Sequence, residues 1–481
     1  MTVRALRSAL LVRHLGDWRL PGGGPGWRQL AERVRLLVLD GRLPLGATLP
    51  GERDLAQALQ VSRNMVAAAF AALRDDGFLT SRAGAGSHVS LPEGAAGRGA
   101  DPLLGDSGDG RIDMTAAVLP AGAEVHAAYA RALERLPAAL PGHGYEPVGA
   151  LALRTVLAEH YRRRGLPTTP DQILVTHGAQ NAWALLLRWR TRPGDRVVVD
   201  HPTYPHALDA VTDAHCRPVA VPLAEDGWAV GELVDAIGRS EARLAYLVVD
   251  HHNPSGFYMP AAERARLIAA TRGSGCLLAF DETLIDLWLD APPDAGAPLP
   301  DGPQVLRLGS TSKTFWGGLR VGWIRGEAGT IAALAQARAS LDLGVAVLEQ
   351  LATAELLATH GETLEARRAM LRARRDRLLD LTAEHLPGWR IRRPSAGLSL
   401  WAQLPAPASS RLVAAAERHG VRLAAGPRFG LDGTLERFIR LPFTHDEATL
   451  ERAVKALATA WAEVGDRAPA RARGRGLEPV F

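Results

Sequence analysis

Short apolar runs recur along most of this chain with helical stretches between them, and this alternation constrains the fold more than any other feature. Strands that alternate with helices favour a mostly parallel sheet that is covered on both faces. The pattern therefore predicts an α/β domain. The runs that we interpret as buried strands are Ile173–Val175, Arg196–Val199, Leu244–Val249, Cys276–Phe280 and Val305–Leu308.

A glycine-rich stretch separates this domain from a small N-terminal module. Six of the twenty residues in 93–112 are Gly, and the stretch has neither a helical nor a strand period, as expected of a linker. Apolar stretch 345–358 and arginine-rich stretch 362–385 predict long helices. We expect an N-terminal extension (1–26), a small module (27–92), a flexible linker (93–112), a large domain (113–466, with a smaller α+β subdomain from about 389) and a basic mobile tail (467–481).

The N-terminal module has the pattern of a winged helix-turn-helix. Leu30, Val34, Leu37 and Val38 recur at helical spacing, and two more helical segments and two short strand-like runs follow. The second of those helices begins after Ser62, a favourable N-cap residue. We therefore expect an all-α module with a two-stranded wing.

Charge and composition narrow the possible partners. Residues 1–92 contain twelve Arg and seven acidic residues, a net charge of +5 that hints at a polyanionic partner. Two cysteines exclude a disulfide framework and a cysteine-rich zinc site, and they favour a reducing cytoplasm. His251 and His252 suggest no metal site. No stretch is long enough to span a bilayer, so we expect no membrane partner.

Three motifs in the module resemble the GntR family of bacterial regulators. They are Leu49–Ala56, Val61–Val66 and Gly77–Leu79, and together they cover roughly residues 27–90. This chain has Gly51 where the family usually has Ser. The resemblance implies binding to a double-stranded DNA operator.

A recognition helix presents its first turn to the major groove, which places Ser62, Arg63 and Asn64 against bases. Arg63 suits guanine, and Asn64 suits adenine or a phosphate. Arg53, which opens the preceding helix, is placed for the DNA backbone. Arg82 and His88 lie on the predicted wing.

Lysine is nearly absent from the chain, which leaves only Lys313 and Lys455 as candidates for amine chemistry. Lys313 ends the motif Ser310-Thr311-Ser312-Lys313, and Arg320 follows seven residues later. Pyridoxal phosphate needs an amine to form an imine and donors to hold its phosphate. This one short segment supplies both.

Further motifs follow separate predicted strands. They are Asp281 at the end of an apolar run, Asn253-Pro254-Ser255-Gly256, Thr176-His177-Gly178-Ala179-Gln180, His201-Pro202-Thr203-Tyr204-Pro205, a segment around Tyr145, and Ile439-Arg440-Leu441-Pro442. Together with the lysine motif they resemble fold-type I, aspartate aminotransferase-like enzymes over about residues 113–466.

That resemblance implies a role for each residue. Lys313 would form the Schiff base with pyridoxal phosphate, and Asp281 would pair with the pyridinium nitrogen. Asn253 would bond the ring oxygen, and Tyr204 would stack on the ring. Ser310, Ser312, Arg320, Gly178, Ala179 and Gln180 would hold the phosphate, Tyr145 would reach the phosphate of a neighbouring subunit, and Arg440 would clamp a substrate or effector carboxylate.

One position departs from the family pattern. A tyrosine usually follows the aspartate by two or three residues, whereas this chain has Thr283 and Leu284 there. A missing phenol near the ring oxygen would change the electronics of the imine. It puts catalytic turnover in doubt more than cofactor binding.

A GntR-type module linked to an aminotransferase-like domain resembles the MocR family of regulators. The resemblance implies a cytoplasmic, homodimeric transcriptional regulator that uses pyridoxal phosphate to sense an amino-acid-like effector. Two alternatives stay open. The chain is a working aminotransferase that carries a DNA-binding module, or it is a regulator that has lost the cofactor; retention of Lys313, Asp281 and Asn253 argues against the latter.

Overall fold

The architecture is that of a computed structural model of the whole chain. The predicted tail and residues 93–109 of the predicted linker lie outside the part that it describes. The structure describes residues 6, 8–19, 24–39, 43, 46–82, 86–90, 110–224, 226–294, 297–359, 361–431 and 433–465.

The N-terminal module contains four helices and a two-stranded wing. The wing strands pair antiparallel, with Leu79 opposite Val89. Its elements are α1 (Ser8–Leu15), α2 (Gly26–Leu39), α3 (Glu52–Leu59), α4 (Arg63–Asp75), β1 (Leu79–Arg82) and β2 (Gly86–Val89). This layout confirms the predicted winged helix-turn-helix, which is all-α apart from its wing.

Helix α1 packs into the core of this module, although the sequence pattern did not predict a helix there. Leu11 and Leu15 are fully buried, and they belong to the same apolar cluster as Val34, Leu55 and Phe70. Side chains four residues apart lie on one face of a helix, so α1 has a narrow apolar stripe. Part of the predicted extension therefore contributes to the module.

The large domain alternates helices and strands as predicted. Each of the five predicted strands is present, with bounds that differ by one or two residues. Its elements are β3 (Ile112–Met114), α5 (Ala123–Arg135), α6 (Leu151–Arg163), β4 (Ile173–Thr176), α7 (Ala179–Arg190), β5 (Arg196–His201), α8 (Pro205–Asp213), β6 (Arg217–Pro222), α9 (Val230–Ser240), β7 (Leu244–Leu247), α10 (Ala261–Ala270), β8 (Leu277–Asp281), β9 (Val305–Ser310), β10 (Gly322–Arg325), α11 (Ala328–Arg338), α12 (Val347–Thr359), α13 (Gly361–His385), β11 (Arg390–Ile391), β12 (Ser399–Gln403), α14 (Ser409–Arg418), β13 (Val421–Ala425), β14 (Phe438–Pro442) and α15 (Glu447–Gly465).

Seven strands form the main sheet in the order β4-β10-β9-β8-β7-β5-β6. The five strands from β9 to β6 run parallel, while β10 is antiparallel to both of its neighbours. Parallel strands place their carboxyl ends at one edge of the sheet, and ligands bind in crevices at that edge. This topology confirms the predicted α/β fold.

A second sheet of five strands forms the smaller subdomain, in the order β11-β12-β14-β13-β3. Strand β3 comes from the start of the large domain and pairs parallel with β13, Ile112 opposite Val421. The chain that follows the predicted linker is thus tied to the C-terminal subdomain. No helix among the described residues has the length and apolar character needed to cross a bilayer.

The DNA-binding module contacts the smaller subdomain through α2. Arg33 of α2 is only 7% exposed, and its Nη1 lies 2.5 Å from Glu436 Oε1, just before β14. The same nitrogen donates to Ser410 Oγ in α14, and Nε donates to the Leu15 carbonyl at 3.0 Å. One buried guanidinium therefore joins α1, α2 and the subdomain.

Candidate functional site

Lys313 lies just after β9, at the carboxyl edge of the parallel strands. Its Nζ donates to the carbonyl of Ala117, 3.0 Å away, on the segment that follows β3. Burial lowers the pKa of Lys313 to about 8; the positive charge of Arg440 acts in the same direction, and Asp281 opposes both. A lysine with a lowered pKa is a better nucleophile near neutral pH.

Asp281 ends β8, the strand next to β9, which leads into the lysine loop. Its Oδ1 accepts from the backbone N–H of Thr283 at 2.8 Å, and its Oδ2 accepts from the phenol of Tyr246. Burial raises the pKa of Asp281, while the bonds from Thr283 and Tyr246 oppose that rise. The carboxylate is therefore oriented before any ligand arrives.

The next residue, Glu282, anchors the end of β8. Its carboxylate accepts from Arg164 at 3.1 Å and from Arg307. Burial alone would raise the pKa of Glu282, but the two guanidinium groups lower it to about 2. A buried carboxylate with two such partners stays ionised, and it fixes the backbone beside Asp281.

The predicted phosphate donors converge at the start of α7. Gly178 is the N-cap residue of α7 and has a φ of 82°, a conformation that favours glycine. A Cβ there would lie 3.3 Å from Arg320 Nη2, which itself donates to the His177 carbonyl at 3.0 Å. Ser310 ends β9 and Ser312 follows it, with their hydroxyl oxygens 3.0 Å apart.

This donor set fits a phosphate dianion. The first backbone N–H groups of a helix have no partner within the helix, and the helix dipole favours an anion there. Ala179 and Gln180 occupy that first turn, while the Gln180 side chain donates to the His206 carbonyl at 2.8 Å. The arginine and two hydroxyls would complete such a cradle.

Arg440 lies on β14 and faces the same region. It is 6% exposed, donates to Asn253 Oδ1 at 3.3 Å and to the Thr115 carbonyl, and its guanidinium carbon lies 4.9 Å from the centre of the Phe429 ring. Its Nε has no acceptor among the described residues. Burial lowers the pKa of Arg440 to about 10. A buried cation with an unused donor suits a ligand carboxylate.

The two tyrosines of the predicted set have different surroundings. Tyr204 precedes α8 and packs edge-on to His206 at 5.3 Å; burial, with the charge of Asp281, raises the pKa of its phenol to about 12. Tyr145 is 58% exposed and lies beside His143 at the surface. The structure does not bring Tyr145 into contact with the other predicted residues.

In the module, Arg53 and Asn64 are exposed on the first turns of α3 and α4. Arg63 is 70% exposed, with Nε 3.8 Å from Glu52. The Ser62 hydroxyl caps α4 by accepting from the Met65 N–H at 3.2 Å. On the wing, His88 Nδ1 lies 3.1 Å from Thr48 Oγ1, and the Arg82 side chain is outside the described part.

Sequence comparison matches both parts of the chain to known families. The model of the family "Aminotransferase class I and II" matches residues 120–457, and that of "Bacterial regulatory proteins, gntR family" matches residues 27–89. The chain belongs to the aminotransferase class I and II family. The two matches also confirm the predicted order of a GntR-type module followed by an aminotransferase-like domain.

Several relatives are named as transcriptional regulators. The uncharacterized HTH-type transcriptional regulator YisV of Bacillus subtilis is 26% identical over 473 residues, 90% of this chain and 95% of the relative. The probable rhizopine catabolism regulatory protein MocR of Rhizobium meliloti is 30% identical over 326 residues, 62% and 65%. The pyridoxine biosynthesis regulator PdxR of Corynebacterium glutamicum is 28% identical over 386 residues, 77% and 81%.

Solved aminotransferase structures have the same fold as the large domain. LysN, the α-aminoadipate aminotransferase of Thermus thermophilus, was solved with N-(5′-phosphopyridoxyl)-L-leucine. It matches with a TM-score of 0.66 and 27% identity, over 78% of this chain and 99% of LysN. The kynurenine aminotransferase of Pyrococcus horikoshii matches with a TM-score of 0.67 and 25% identity, over 74% and 91%.

Sequence reasoning missed several residues of the aminotransferase-like site. Buried Asp200, at the end of β5, accepts from the Val248 N–H and from Trp228 Nε1, each at 2.7 Å. Burial raises the pKa of Asp200 to about 7 and lowers that of the nearby His252 to about 3. These contacts tie β5 to the turn that carries Asn253, and no local motif signals them.

Tyr246 was also missed, because a tyrosine inside an apolar run is indistinguishable from an ordinary core residue. The described part of the chain contains no group of three or more His, Cys, Asp or Glu side chains placed to hold a metal ion. Both cysteines, Cys216 and Cys276, are buried thiols.

Proposed function

We propose that this chain is a transcriptional regulator that holds pyridoxal phosphate on Lys313 and senses a small molecule with a primary amine and a carboxylate. The GntR-type module would bind an operator, and the aminotransferase-like domain would bind cofactor and effector. Because the proposed partner is a DNA operator, we expect the protein to act in the cytoplasm. Bound pyridoxal phosphate supplies an imine-forming aldehyde and an electron-withdrawing ring.

The contact of Arg33 with Glu436 carries this proposal, because it links the DNA-binding module to the segment that leads into the site. Glu436 accepts from Arg33 and also from the Ser410 N–H at 2.9 Å and the Ser410 hydroxyl at 2.7 Å. It stands four residues before Arg440, which lies on β14. A displacement of Arg440 would therefore reach the anchor of α2 through a short, buried piece of backbone.

The segment before Glu436 also contacts the loop that carries Tyr204. Thr434 Oγ1 lies 3.0 Å from His201 Nε2, and the Phe429 carbonyl accepts from the Thr203 N–H at 2.8 Å. Residue Tyr204, the candidate for ring stacking, follows directly. The part of the site near Tyr204 and the part near Arg440 are thus both connected to the segment that Arg33 contacts.

Lys313 and Arg440 would divide the recognition of the effector. Lys313 would hold the cofactor at the position for which an effector amine would compete, and its lowered pKa raises the fraction of the reactive neutral amine. Arg440 offers a guanidinium to the effector carboxylate. An effector would replace Lys313 on the cofactor and would add a contact with Arg440. The effector-free and effector-bound states would therefore differ in both contacts, which any ligand-driven switch requires.

A homodimer is part of the proposal. Exposed apolar side chains lie on the loops beside the phosphate cradle, among them Leu140, Tyr145, Leu341 and Leu343, which are 45–68% exposed. His177 Nε2 bonds the carbonyl of Gly344 at 3.1 Å, so the second of these loops adjoins the start of α7. A large apolar patch marks an association surface, and a second copy of the chain would cover it.

The test is operator affinity against effector concentration, with a panel of α- and ω-amino acids and the cofactor-loaded full-length protein. The response should disappear in Lys313→Ala, even with pyridoxal phosphate supplied. Glu436→Gln should keep cofactor and DNA binding but weaken the response, within the roughly 5- to 150-fold range of typical allosteric coupling. Glu463→Gln is the matched control, because Glu463 pairs with Arg418 at 2.7 Å inside the subdomain.

Identical effector responses in the wild type and Lys313→Ala would show that displacement of the lysine is not the switch. The enzyme alternative is tested in the same samples by adding a keto acid. Sustained product formation would favour a working aminotransferase, whereas a spectral change without turnover favours a sensor.

A further inference from the structure

Tyr246 lies in the middle of the main sheet, where no family motif assigns it a role. It is on β7, opposite Ala279 of the neighbouring β8, and its side chain is 2% exposed. The ring packs on Trp183 of α7, with ring centres 4.9 Å apart. The phenol crosses to the end of β8 and donates to Asp281 Oδ2.

We propose that Tyr246 is a positioning residue that holds the Asp281 carboxylate for the ring nitrogen of pyridoxal phosphate. This inference rests on the proposed cofactor binding. Donors approach Asp281 at both oxygens, the Tyr246 phenol at Oδ2 and the Thr283 N–H at Oδ1, and the Thr283 side chain adds a third hydrogen bond. An ionised carboxylate accepts about four hydrogen bonds, so room is left for a pyridinium N–H.

The charge of Asp281 depends on such donors because the group is buried. Burial favours the neutral acid, whereas hydrogen bonds to the ionised form favour the anion. The Tyr246 phenol remains a donor, since burial and the adjacent Asp281 charge raise its pKa well above the ordinary value. The other titratable groups that act on this pair are Asp250, Lys313, Tyr204 and Asp200.

This arrangement would supply a phenol that acts on the ring nitrogen, whereas the phenol that the sequence lacks would act on the ring oxygen. The family tyrosine two or three residues after the aspartate is replaced here by Thr283 and Leu284. Tyr246 instead acts through Asp281 on the ring nitrogen. An ionised Asp281 keeps that nitrogen protonated, so the ring withdraws electrons from the lysine-linked carbon.

The experiment compares wild type with Tyr246→Phe in the full-length, cofactor-loaded protein. Phenylalanine keeps the packing on Trp183 and removes only the donor. The absorbance of bound cofactor is titrated against pH, and cofactor affinity is measured separately. We expect the titration midpoint to move upward by about one pH unit, because a less protonated ring makes the nitrogen joined to Lys313 more basic, and affinity to fall about three- to tenfold.

Tyr258→Phe is the matched control, because Tyr258 also donates to a carboxylate, Asp294 at 2.9 Å, but at the surface. It should leave both readouts unchanged. A second arm repeats Tyr246→Phe in an Asp281→Asn background, where the proposal expects no additional shift of the midpoint. This arm separates positioning of Asp281 from packing, because a purely structural effect would persist there.

An unchanged midpoint in Tyr246→Phe, or an equal shift in the Asp281→Asn background, overturns this inference. A wild-type protein without bound pyridoxal phosphate would instead overturn the proposed function, so the two failures are distinguishable. If Tyr246→Phe does not fold, Trp183→Phe tests the alternative. It changes the packing beneath the phenol and removes the Trp183 Nε1 bond to the Ala207 carbonyl, but it leaves the phenol in place. A shift equal to that expected for loss of the donor would therefore count against a role through Asp281.

Discussion

In the DNA-binding module, the residues predicted to contact DNA lie between Arg53 and Asn64, at the exposed starts of two consecutive helices, apart from Arg82 and His88 on the wing. The candidate cofactor site draws its residues from Gly178 to Arg440, on strands and loops that meet only in the folded protein. The DNA-binding surface therefore depends on local structure, whereas the candidate cofactor site depends on the whole α/β sheet.

This difference explains how each region responds to change. A solvated arginine such as Arg63 has one weak partner, Glu52 at 3.8 Å, so its loss affects ligand binding and hardly affects folding. Most residues of the candidate cofactor site are buried or half-buried, and some bind one another, as Arg440 does Asn253. Substitutions there should alter binding, electrostatics and stability together.

Lys313→Ala should produce the largest effect, a complete loss of covalently bound cofactor. No other lysine lies near the site, since Lys455 is on α15 and pairs with Glu451 at 2.6 Å. Borohydride treatment followed by peptide mass analysis should locate the cofactor on Lys313, and Lys455→Ala should leave the adduct intact. Cofactor found on Lys455, or no adduct in the wild type, would contradict the assembled site.

Arg63→Ala should remove sequence preference while the protein stays folded. Loss of a bidentate base contact costs roughly 1–3 kcal/mol, about 5- to 150-fold in specific binding. Arg53→Ala should weaken specific and scrambled sites alike and reduce the salt dependence, as a phosphate contact does. Equal discrimination by wild type and Arg63→Ala would exclude α4 as the recognition helix.

A third experiment asks whether the cofactor site extends across two subunits. Removal of residues 1–109 keeps β3, which the smaller subdomain needs, and should leave a dimer by light scattering. Tyr145→Phe should weaken cofactor binding about tenfold, because one hydrogen bond to a charged phosphate is lost.

Mixed dimers make that experiment decisive. In a hybrid of Lys313→Ala and Tyr145→Phe subunits, one site receives an intact lysine and an intact tyrosine if Tyr145 acts across the interface. That site should regain full affinity. Affinity that stays at the Tyr145→Phe level would show that the tyrosine acts within its own subunit.

The sequence was sufficient for the features that depend on short segments. The Ser62 cap begins α4 at Arg63, as the sequence predicts, because capping is a local interaction. The residues of the proposed phosphate cradle could also be chosen from the sequence, since a glycine at a helix start and Ser310 near Arg320 each lie in a contiguous motif.

Long-range contacts were not predictable in the same way. Arg33 was indistinguishable from the other arginines on α2, although it forms an ion pair with Glu436, 403 positions later in the chain. Tyr246 lay inside an apolar run and gave no sign of its bond to Asp281. Such pairs depend on how strands and subdomains are arranged, which periodicity does not report.

The smallest expected effect concerns the stability of the cofactor-free protein, and it tests whether Lys313 is a buried amine before the cofactor binds. The pKa of Lys313 falls from 10.5 to about 8 in the folded protein, mainly through burial. Below about pH 8 both states carry the proton, so the folded state bears the full cost of a buried ammonium group. Between about pH 8 and 10.5 the unfolded state binds more protons, and the free energy of unfolding rises with pH.

Lys313→Met is the reference, because it keeps an unbranched side chain and removes the titrating group. Between about pH 8 and 10.5, the free energy of unfolding of the wild type should rise by about 1–2 kcal/mol relative to that of Lys313→Met. This magnitude allows for partial contact of the amine with solvent. Denaturant unfolding of both apoproteins at several pH values measures the difference, in which the titration of all other groups cancels. If the difference in unfolding free energy does not change with pH, the Lys313 amine is already solvated before the cofactor binds. The contrast between a buried cofactor site and an exposed DNA-binding surface would then not apply to Lys313.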